Sequence, residues 1–458
     1  MISRRRVLVG GLATVLLAAC GGAASPTAAP TTAPSKPPEK PTSAPAATTV
    51  SSAASPAATG AAAAATKPAA ATAAATPAAG ATSTGASATS TAATPAAKPA
   101  GSPAAATSAG GSAKIGAALS ITKDAAVYGA TQKNGIQLAQ DELNEANAAG
   151  VKLDVLIEDD ASDKTQGINV FNKFINQDKV LAIIGPTLSN TAQATDPIAQ
   201  QAQVPVLGVS NTAGGITSIG NYIFRDSLTE AQVIPQTIKA VKTKLNIAKA
   251  AIIYGNDDAF TKAGYDEFKK ALQANGIQIT SEQTFAKGDK DFSAQLTQIK
   301  GTNPDAIVVS ALAEEGTGIL QQGRRLGIDP KVPFVGGNGL NSPAVIKNAG
   351  GAAEGTIVGA AWNAASPNPK SQDFIKKYTA KYNSAPDQFA AQAYAGMYIL
   401  AEGIKRAGAP DRAKLRDALA TIKDFDTVLG KFSFTADRDA DHPAIIQIVK
   451  GDHFEVFA

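Results

Sequence analysis

Between Ile115 and the C-terminus, apolar runs of strand length alternate with amphipathic stretches of helical period. The runs are Ile115 to Leu119, Leu153 to Ile157, Leu181 to Ile184 and Val204 to Val209, then Ala250 to Tyr254, Ile277 to Thr280, Ala306 to Val309, Val332 to Val335 and Thr356 to Val358. Between them the spacing predicts helices over Gly135 to Ala149, Gly167 to Gln177, Thr261 to Ala274, Phe292 to Lys300 and Gly318 to Leu326. Apolar strands alternating with helices imply parallel sheets covered on both faces. The runs form two successive series separated by a polar stretch near Ser227 to Val233, which predicts two such sheets with a crossing between them. Longer helices follow at Ser371 to Tyr382 and Gln388 to Ala407. Short strands at Lys431 to Phe434, Ile445 to Lys450 and Phe454 to Phe457 close the chain.

The first 112 residues follow a different pattern. Arg4, Arg5 and Arg6 precede an apolar stretch of thirteen residues, Val7 to Ala19, which has the length of a secretory h-region and is short of the roughly 20 a membrane-spanning helix needs. Small residues lead into Cys20, the single cysteine of the chain, and resemble a bacterial lipobox, in which the thiol is acylated and the peptide is cut before it. Acyl chains at that residue would anchor the protein at roughly 0.8 kcal/mol per buried methylene. Ser3-Arg4-Arg5-Arg6-Val7-Leu8 is compatible with either a twin-arginine signal or an ordinary positive n-region. Residues 20–112 are Cys20 followed by Ala, Thr, Ser, Pro and Gly almost throughout, with Val50 as the one branched aliphatic, and so cannot build a core. A flexible segment of this length reaches on the order of 50 Å, as a tether would.

Composition matters once it is divided at residue 113. Seven of the 42 basic residues but one of the 38 acidic residues lie before it, so the remainder carries a net charge of −2 although the whole chain is at +4. A near-neutral folded part argues against a nucleic-acid surface. With Cys20 consumed, no intrachain disulfide can form.

The resemblance rests on Leu156-Ile157-Glu158-Asp159-Asp160, Ile183-Ile184-Gly185-Pro186 running to Ser189, Val204-Pro205-Val206 leading to Ser210-Asn211-Thr212, Tyr254-Gly255-Asn256-Asp257-Asp258, and Ala390-Ala391-Gln392-Ala393-Tyr394. In this order and spacing the chain from Lys114 onwards is similar to type I periplasmic binding proteins of the branched-chain amino acid (Leu/Ile/Val) group, the substrate-binding components of ABC importers. The resemblance implies an α/β fold of two lobes that close on a ligand: 113–231 with 361–430, and 232–360 with 431–458, joined by three crossings. It also implies an extracytoplasmic, monomeric protein that holds a small amino acid or related polar ligand without a cofactor, and delivers it to an ABC permease beside the membrane to which the lipid ties it.

Open α/β sheets bind ligands at the carboxyl ends of their strands. Ser189, following a strand and opening a helix near Thr191, can offer a hydroxyl and free N–H groups to a carboxylate. Ser210, Asn211 and Thr212 follow the next strand, and the resemblance assigns Ser189 and this trio to carboxylate binding, with Ser210 in place of the usual Ala. Both Ser189 and Thr212 can equally be helix caps. Tyr128 is either an aromatic laid over the ligand or a packed surface residue. Phe260 and Leu312 would supply an apolar wall from the second lobe. Asn338, in Val335-Gly336-Gly337-Asn338-Gly339, aligns with the family's carboxylate for a ligand ammonium group. Being neutral, it offers a carbonyl oxygen but cannot balance a buried positive charge. Glu314, Glu315, Asp257 and Asp258 are alternative sources of that charge, or else solvated loop carboxylates and caps. Trp362, the single tryptophan, lies near a crossing and either lines the cleft or braces the hinge.

An enzyme is disfavoured: the two histidines, His442 and His453, lie near the C-terminus, and no P-loop, HExxH or GxSxG pattern occurs. Asp159-Asp160 lacks a complementary metal-ligand cluster. The second functional reading is a ligand-sensing lipoprotein acting through a membrane receptor on a separate chain.

Overall fold

The computed structural model describes residues 111–458; the expected signal segment, Cys20 and nearly all of the 20–112 linker lie outside the described residues. The first strand, β1 (Ser112–Leu119), begins at the last residue assigned to that linker. It is followed by α1 (Ala126–Glu145), β2 (Lys152–Asp159), α2 (Lys164–Lys173), β3 (Ala182–Ile184), α3 (Ser189–Gln201), β4 (Val206–Gly208) and β5 (Ile223–Arg225). These strands form one parallel sheet in the order β2-β1-β3-β4-β5. Alternate residues divide its two faces. Ile115, Ala117, Leu119 and Ile184 pack with residues of α1 and of the later helices, whereas Ala118, Ile183 and Val206 pack with Val170, Phe171 and Ala192 of α2 and α3.

Thr229 accepts a hydrogen bond from the Gln232 amide at 3.1 Å, and the Gln232 side chain accepts from the Thr229 amide at 2.8 Å. This capping box starts α4 (Glu230–Leu245). The crossing expected at Ser227 to Val233 is therefore shorter, and its second half is the first turn of a helix.

The second series runs β6 (Lys249–Gly255), α5 (Ala259–Ala274), β7 (Gln278–Phe285), α6 (Ser293–Gly301), β8 (Ala306–Ser310), α7 (Ala313–Arg325), β9 (Phe334–Gly336), α8 (Pro343–Ala349) and β10 (Ile357–Ala360). α9 (Pro369–Tyr382), α10 (Gln388–Ala407) and α11 (Arg412–Ala420) then return to the first sheet, where Phe374, Ala390, Met397 and Leu415 share a core with β1. Strands β11 (Phe425–Thr427), β12 (Gly430–Phe434), β13 (Ala440–Asp441), β14 (Ile445–Lys450) and β15 (His453–Val456) complete the chain. The second sheet has the order β15-β14-β10-β9-β8-β6-β7, parallel except where β14 pairs with β10 and β15.

One boundary differs from expectation. β11, β12 and β13 form a small antiparallel sheet of their own, and Phe432, Phe434 and Ala440 belong to the core of the first sheet. Arg225, fully buried on β5, donates to Asp439 Oδ1 at 2.6 Å. Residues 431–441, assigned to the second lobe from sequence, thus pack with the first, and the last crossing falls near His442–Ile445. Strand alternation alone cannot say which sheet a short hairpin joins.

Candidate ligand site

Both sheets have a point at which strand order reverses, between β1 and β3 in the first and between β6 and β8 in the second. Loops leaving the carboxyl ends of strands on either side of such a point diverge and leave a crevice. The loops after β1, β3 and β4 face those after β6, β8 and β9, with a small chamber between them. Tyr128, Thr187, Leu188, Ser189 and Ser210 line it from the first sheet, Phe260, Leu312, Asn338 and Gly339 from the second, and Phe389 from the start of α10. Among the described residues no acidic or basic side chain lines it.

Six of the residues named from sequence meet there: Tyr128, Ser189, Ser210, Phe260, Leu312 and Asn338. Ser189 is not a cap. It is the first residue of α3, and its buried Oγ accepts the amides of Thr212 at 3.2 Å and Ala213 at 3.3 Å. Its own proton remains to be donated, next to the free N–H groups of the first turn. Ser210 Oγ donates to Thr187 O at 2.6 Å and accepts from Gln132 Nε2 at 2.8 Å; the same Gln132 accepts from Thr187 Oγ1 at 2.7 Å. Tyr128 is buried, donates to Gly339 O at 2.7 Å and packs on Phe389 with ring centroids 4.5 Å apart. Burial pushes its phenol well above the ordinary range, so it stays neutral.

Asn211 and Thr212 do not line the chamber. The Asn211 side chain donates to Pro186 O at 3.1 Å, beneath the loop, and the Thr212 hydroxyl donates to Glu230 Oε1 at 2.7 Å. Of that pair, the chamber sees an effect only through the Thr212 amide that positions Ser189. Glu230 is buried, and burial pushes its carboxyl up to about 7 against the opposing effects of Thr212 and Arg225. It lines a neighbouring cavity that shares Asn338 with the chamber.

The alternative acids bond outside the chamber, although Glu315 Oε2 is buried without a partner among the described residues. Asp258 caps α5 by accepting from Phe260 and Thr261, and its other oxygen accepts from Asn190 at 2.5 Å. Asp257 accepts the Lys287 amide at 2.9 Å, Glu314 pairs with Lys290, and Glu315 accepts the Gly288 amide at 2.9 Å. Asp159 and Asp160 staple the loops after β1 and β2, through Thr122 Oγ1 at 2.6 Å and Ser120 Oγ at 2.6 Å. Trp362 braces the crossing: it is buried, donates to Ser371 Oγ at 2.8 Å and meets Phe374 edge-on.

Sequence reasoning missed Thr187, Leu188, Gly339 and Phe389. The first two adjoin Ser189 and could have been found by extending its loop. Gly339 carries a steric signal, since a Cβ there would lie 2.2 Å from Ala311 O. Phe389 is hidden in the apolar stripe of α10.

Contacts that join the two sides of the crevice include Tyr128 to Gly339, Asn338 Nδ2 to Ser210 O at 3.2 Å, Asn190 to Asp258, the Ala259 amide to Asn190 Oδ1 at 2.8 Å, and Lys287 Nζ to Asp124 at 3.4 Å and to Ser162 O at 3.5 Å. The chamber is thus closed.

Residues 112–453 match the family model described as periplasmic binding protein. A Leu/Ile/Val-binding protein of Rhizobium johnstonii is 30% identical over 323 residues, covering 70% of this chain and 86% of the relative. The branched-chain amino acid transporter substrate-binding protein of Streptococcus pneumoniae, solved with isoleucine, has a TM-score of 0.72 at 31% identity and covers 76% of this chain and 98% of its own. A solute-binding protein of an ABC transporter from Rhodopseudomonas palustris, solved with 3,4-dihydroxybenzoic acid, has a TM-score of 0.68 at 26% identity and covers 75% and 96%. The topology, the crevice between two strand-order reversals and these matches agree: the chain belongs to the periplasmic binding protein family.

Proposed function

We propose that this chain is the extracytoplasmic solute-binding component of an ABC importer, anchored through lipidated Cys20, which captures a small carboxylate-bearing metabolite by closing two lobes over it and presents the closed form to a permease. The chamber carries the reading: a neutral cavity with an unspent Ser189 hydroxyl and the N-terminus of α3 on one wall, and Phe260, Leu312 and Phe389 around the rest. Helix N–H groups and a hydroxyl suit a carboxylate, and the apolar walls suit a hydrocarbon or aromatic remainder. Relatives solved with isoleucine and with 3,4-dihydroxybenzoic acid bracket that chemistry. Transport relatives throughout the comparisons support an importer over a sensory lipoprotein.

The test is a thermal-melt screen of the purified full chain against amino acids, amides, urea, small carboxylates and sugars at about 1 mM. A ligand with a micromolar dissociation constant adds roughly 4 kcal/mol at that concentration, which raises the midpoint by several degrees. A selective rise with carboxylates is expected. A rise confined to sugars or urea would refute the reading.

A further inference from the structure

Five buried or half-buried side-chain amides form an unbroken hydrogen-bonded chain from the ligand chamber to the crossings. Asn363 Nδ2 donates to Gln447 Oε1 at 2.5 Å, Gln447 Nε2 donates to Asn341 Oδ1, Asn341 Nδ2 donates to Gln388 Oε1 at 2.6 Å, and Gln388 Nε2 donates to Asn338 Oδ1. The last member, Asn338 Nδ2, donates to the Ser210 carbonyl in the opposite wall at 3.2 Å.

Side-chain amides can be flipped, so their direction has to be fixed by groups that cannot. Three backbone groups do this. The Ala365 N–H donates to Asn363 Oδ1 at 2.7 Å, and the Ala361 N–H donates to Gln388 Oε1 at 2.6 Å. Flipping either residue would set N–H against N–H. At the far end the Ser210 carbonyl needs a donor, so flipping Asn338 would set oxygen against oxygen. Every link therefore runs in one direction, and Asn338 has its oxygen turned to Gln388. The polar capacity left unpartnered at Asn338, which lines the chamber, is the second proton on Nδ2 and one lone pair on Oδ1.

Resting on the proposed carboxylate capture, we infer that the amide chain makes Asn338 a hydrogen-bond donor to the ligand and so selects acids that carry an acceptor, such as a 2-oxo or 2-hydroxy group, in place of an α-ammonium group. An ammonium group in this chamber would find no lining carboxylate to balance its charge and at most the one free lone pair of Asn338 Oδ1; a carbonyl or hydroxyl oxygen there accepts from Asn338 Nδ2 while its carboxylate sits at Ser189 and α3. The sequence suggested that Asn338 offers a carbonyl oxygen; the network engages one lone pair of that oxygen with Gln388 and adds a free Nδ2 proton as a donor. Gln388 is the positioning residue: it sets the orientation of Asn338 without lining the chamber.

The experiment titrates the full chain with matched compounds of one carbon skeleton: leucine, 4-methyl-2-oxopentanoate, 2-hydroxy-4-methylpentanoate and 4-methylpentanoate. The oxo or hydroxy acid should bind at least tenfold more tightly than leucine. Leucine binding as tightly or more tightly would overturn the inference while leaving solute capture intact. Failure of all four, with a sugar or urea binding instead, would overturn carboxylate capture together with it. Asn338→Asp should move the oxo-acid to leucine affinity ratio at least tenfold toward leucine. Gln388→Glu supplies acceptors alone, drawing Nδ2 away and adding a charge, and should move the ratio in the same direction. An unchanged ratio in both variants, each checked for a cooperative melt, would overturn the role assigned to the chain. Leucine binding that is lost in Glu230→Gln would make Glu230 the ammonium partner, and would also overturn it.

Discussion

Ser189 shows how little of a side chain's role its identity reveals. A serine at a strand-to-helix junction is ordinarily a cap, yet here its oxygen is filled by two amides from the 210–213 turn, and its proton is left for the chamber. A hydroxyl donating to a carboxylate contributes about 1.5–3 kcal/mol, so Ser189→Ala should weaken binding of the ligand found by melt screening at least tenfold, read by titration calorimetry, while the unliganded melt stays cooperative at a lower midpoint because the Thr212 and Ala213 amides lose their acceptor. Equal affinity would remove Ser189 from the site. Its neighbour Thr212 looked equivalent in sequence, and the turn geometry separates them: the Thr212 hydroxyl goes to Glu230, and its amide goes to Ser189. Which of three consecutive polar residues faces a cavity depends on one turn's dihedrals, which composition does not encode. The orientation of Asn338 was illegible for the same reason, since residues as distant in sequence as Gln388 and Ala361 determine it.

At the scale of elements the pattern was legible where segments are long and periodic. Gln388 to Ala407 and Ile445 to Lys450 coincide with α10 and β14, and all nine apolar runs mark strands of the two parallel series. Among the elements not foreseen, β5 has three residues, α11 is Arg412–Ala420, with two buried residues, Leu415 and Leu419, between its charges, and α4 is a full sixteen-residue helix, unforeseen although it buries Val233, Ile234, Ile238 and Val241. The first turn of α4 read as loop because the residues that cap a helix are the same polar types that make turns. α1 was expected to start at Gly135, nine residues late, because its first turns carry the site and lack an apolar stripe. That glycine serves another end. A Cβ there would lie 2.3 Å from Ala390 O, so α1 and α10 touch through it. Gly135→Ala should therefore destabilise the protein by about 1–3 kcal/mol despite its better helix propensity, measured as a fall in the urea midpoint with an unchanged slope; a gain in stability would mean that the helices are not in contact there.

For the whole molecule, the family topology places two sets of strand ends opposite each other, and a few polar contacts close the crevice between them. Those contacts are modest individually: the Lys287–Asp124 pair is partly exposed, and exposed pairs contribute at most about 1 kcal/mol. A closure held by weak contacts can be tipped by the binding energy of a ligand, and under the proposed function the closed shape is what a permease would read. Among the described residues no helix is long and apolar enough to cross a membrane. The assignment of 431–441 to the first core matters at this scale, because it moves the last crossing to His442–Ile445, beside the amide Gln447 of the chain that reaches Asn338. The most direct measurement is the distance between nitroxide labels at the exposed positions Lys164 and Lys290, on opposite rims of the crevice, introduced as Lys164→Cys and Lys290→Cys in a Cys20→Ser background and read by pulsed electron–electron resonance. Without ligand a broad distribution extending to long distances is expected, collapsing to one short distance at saturating carboxylate ligand. An identical distribution with and without bound ligand would contradict capture by closure.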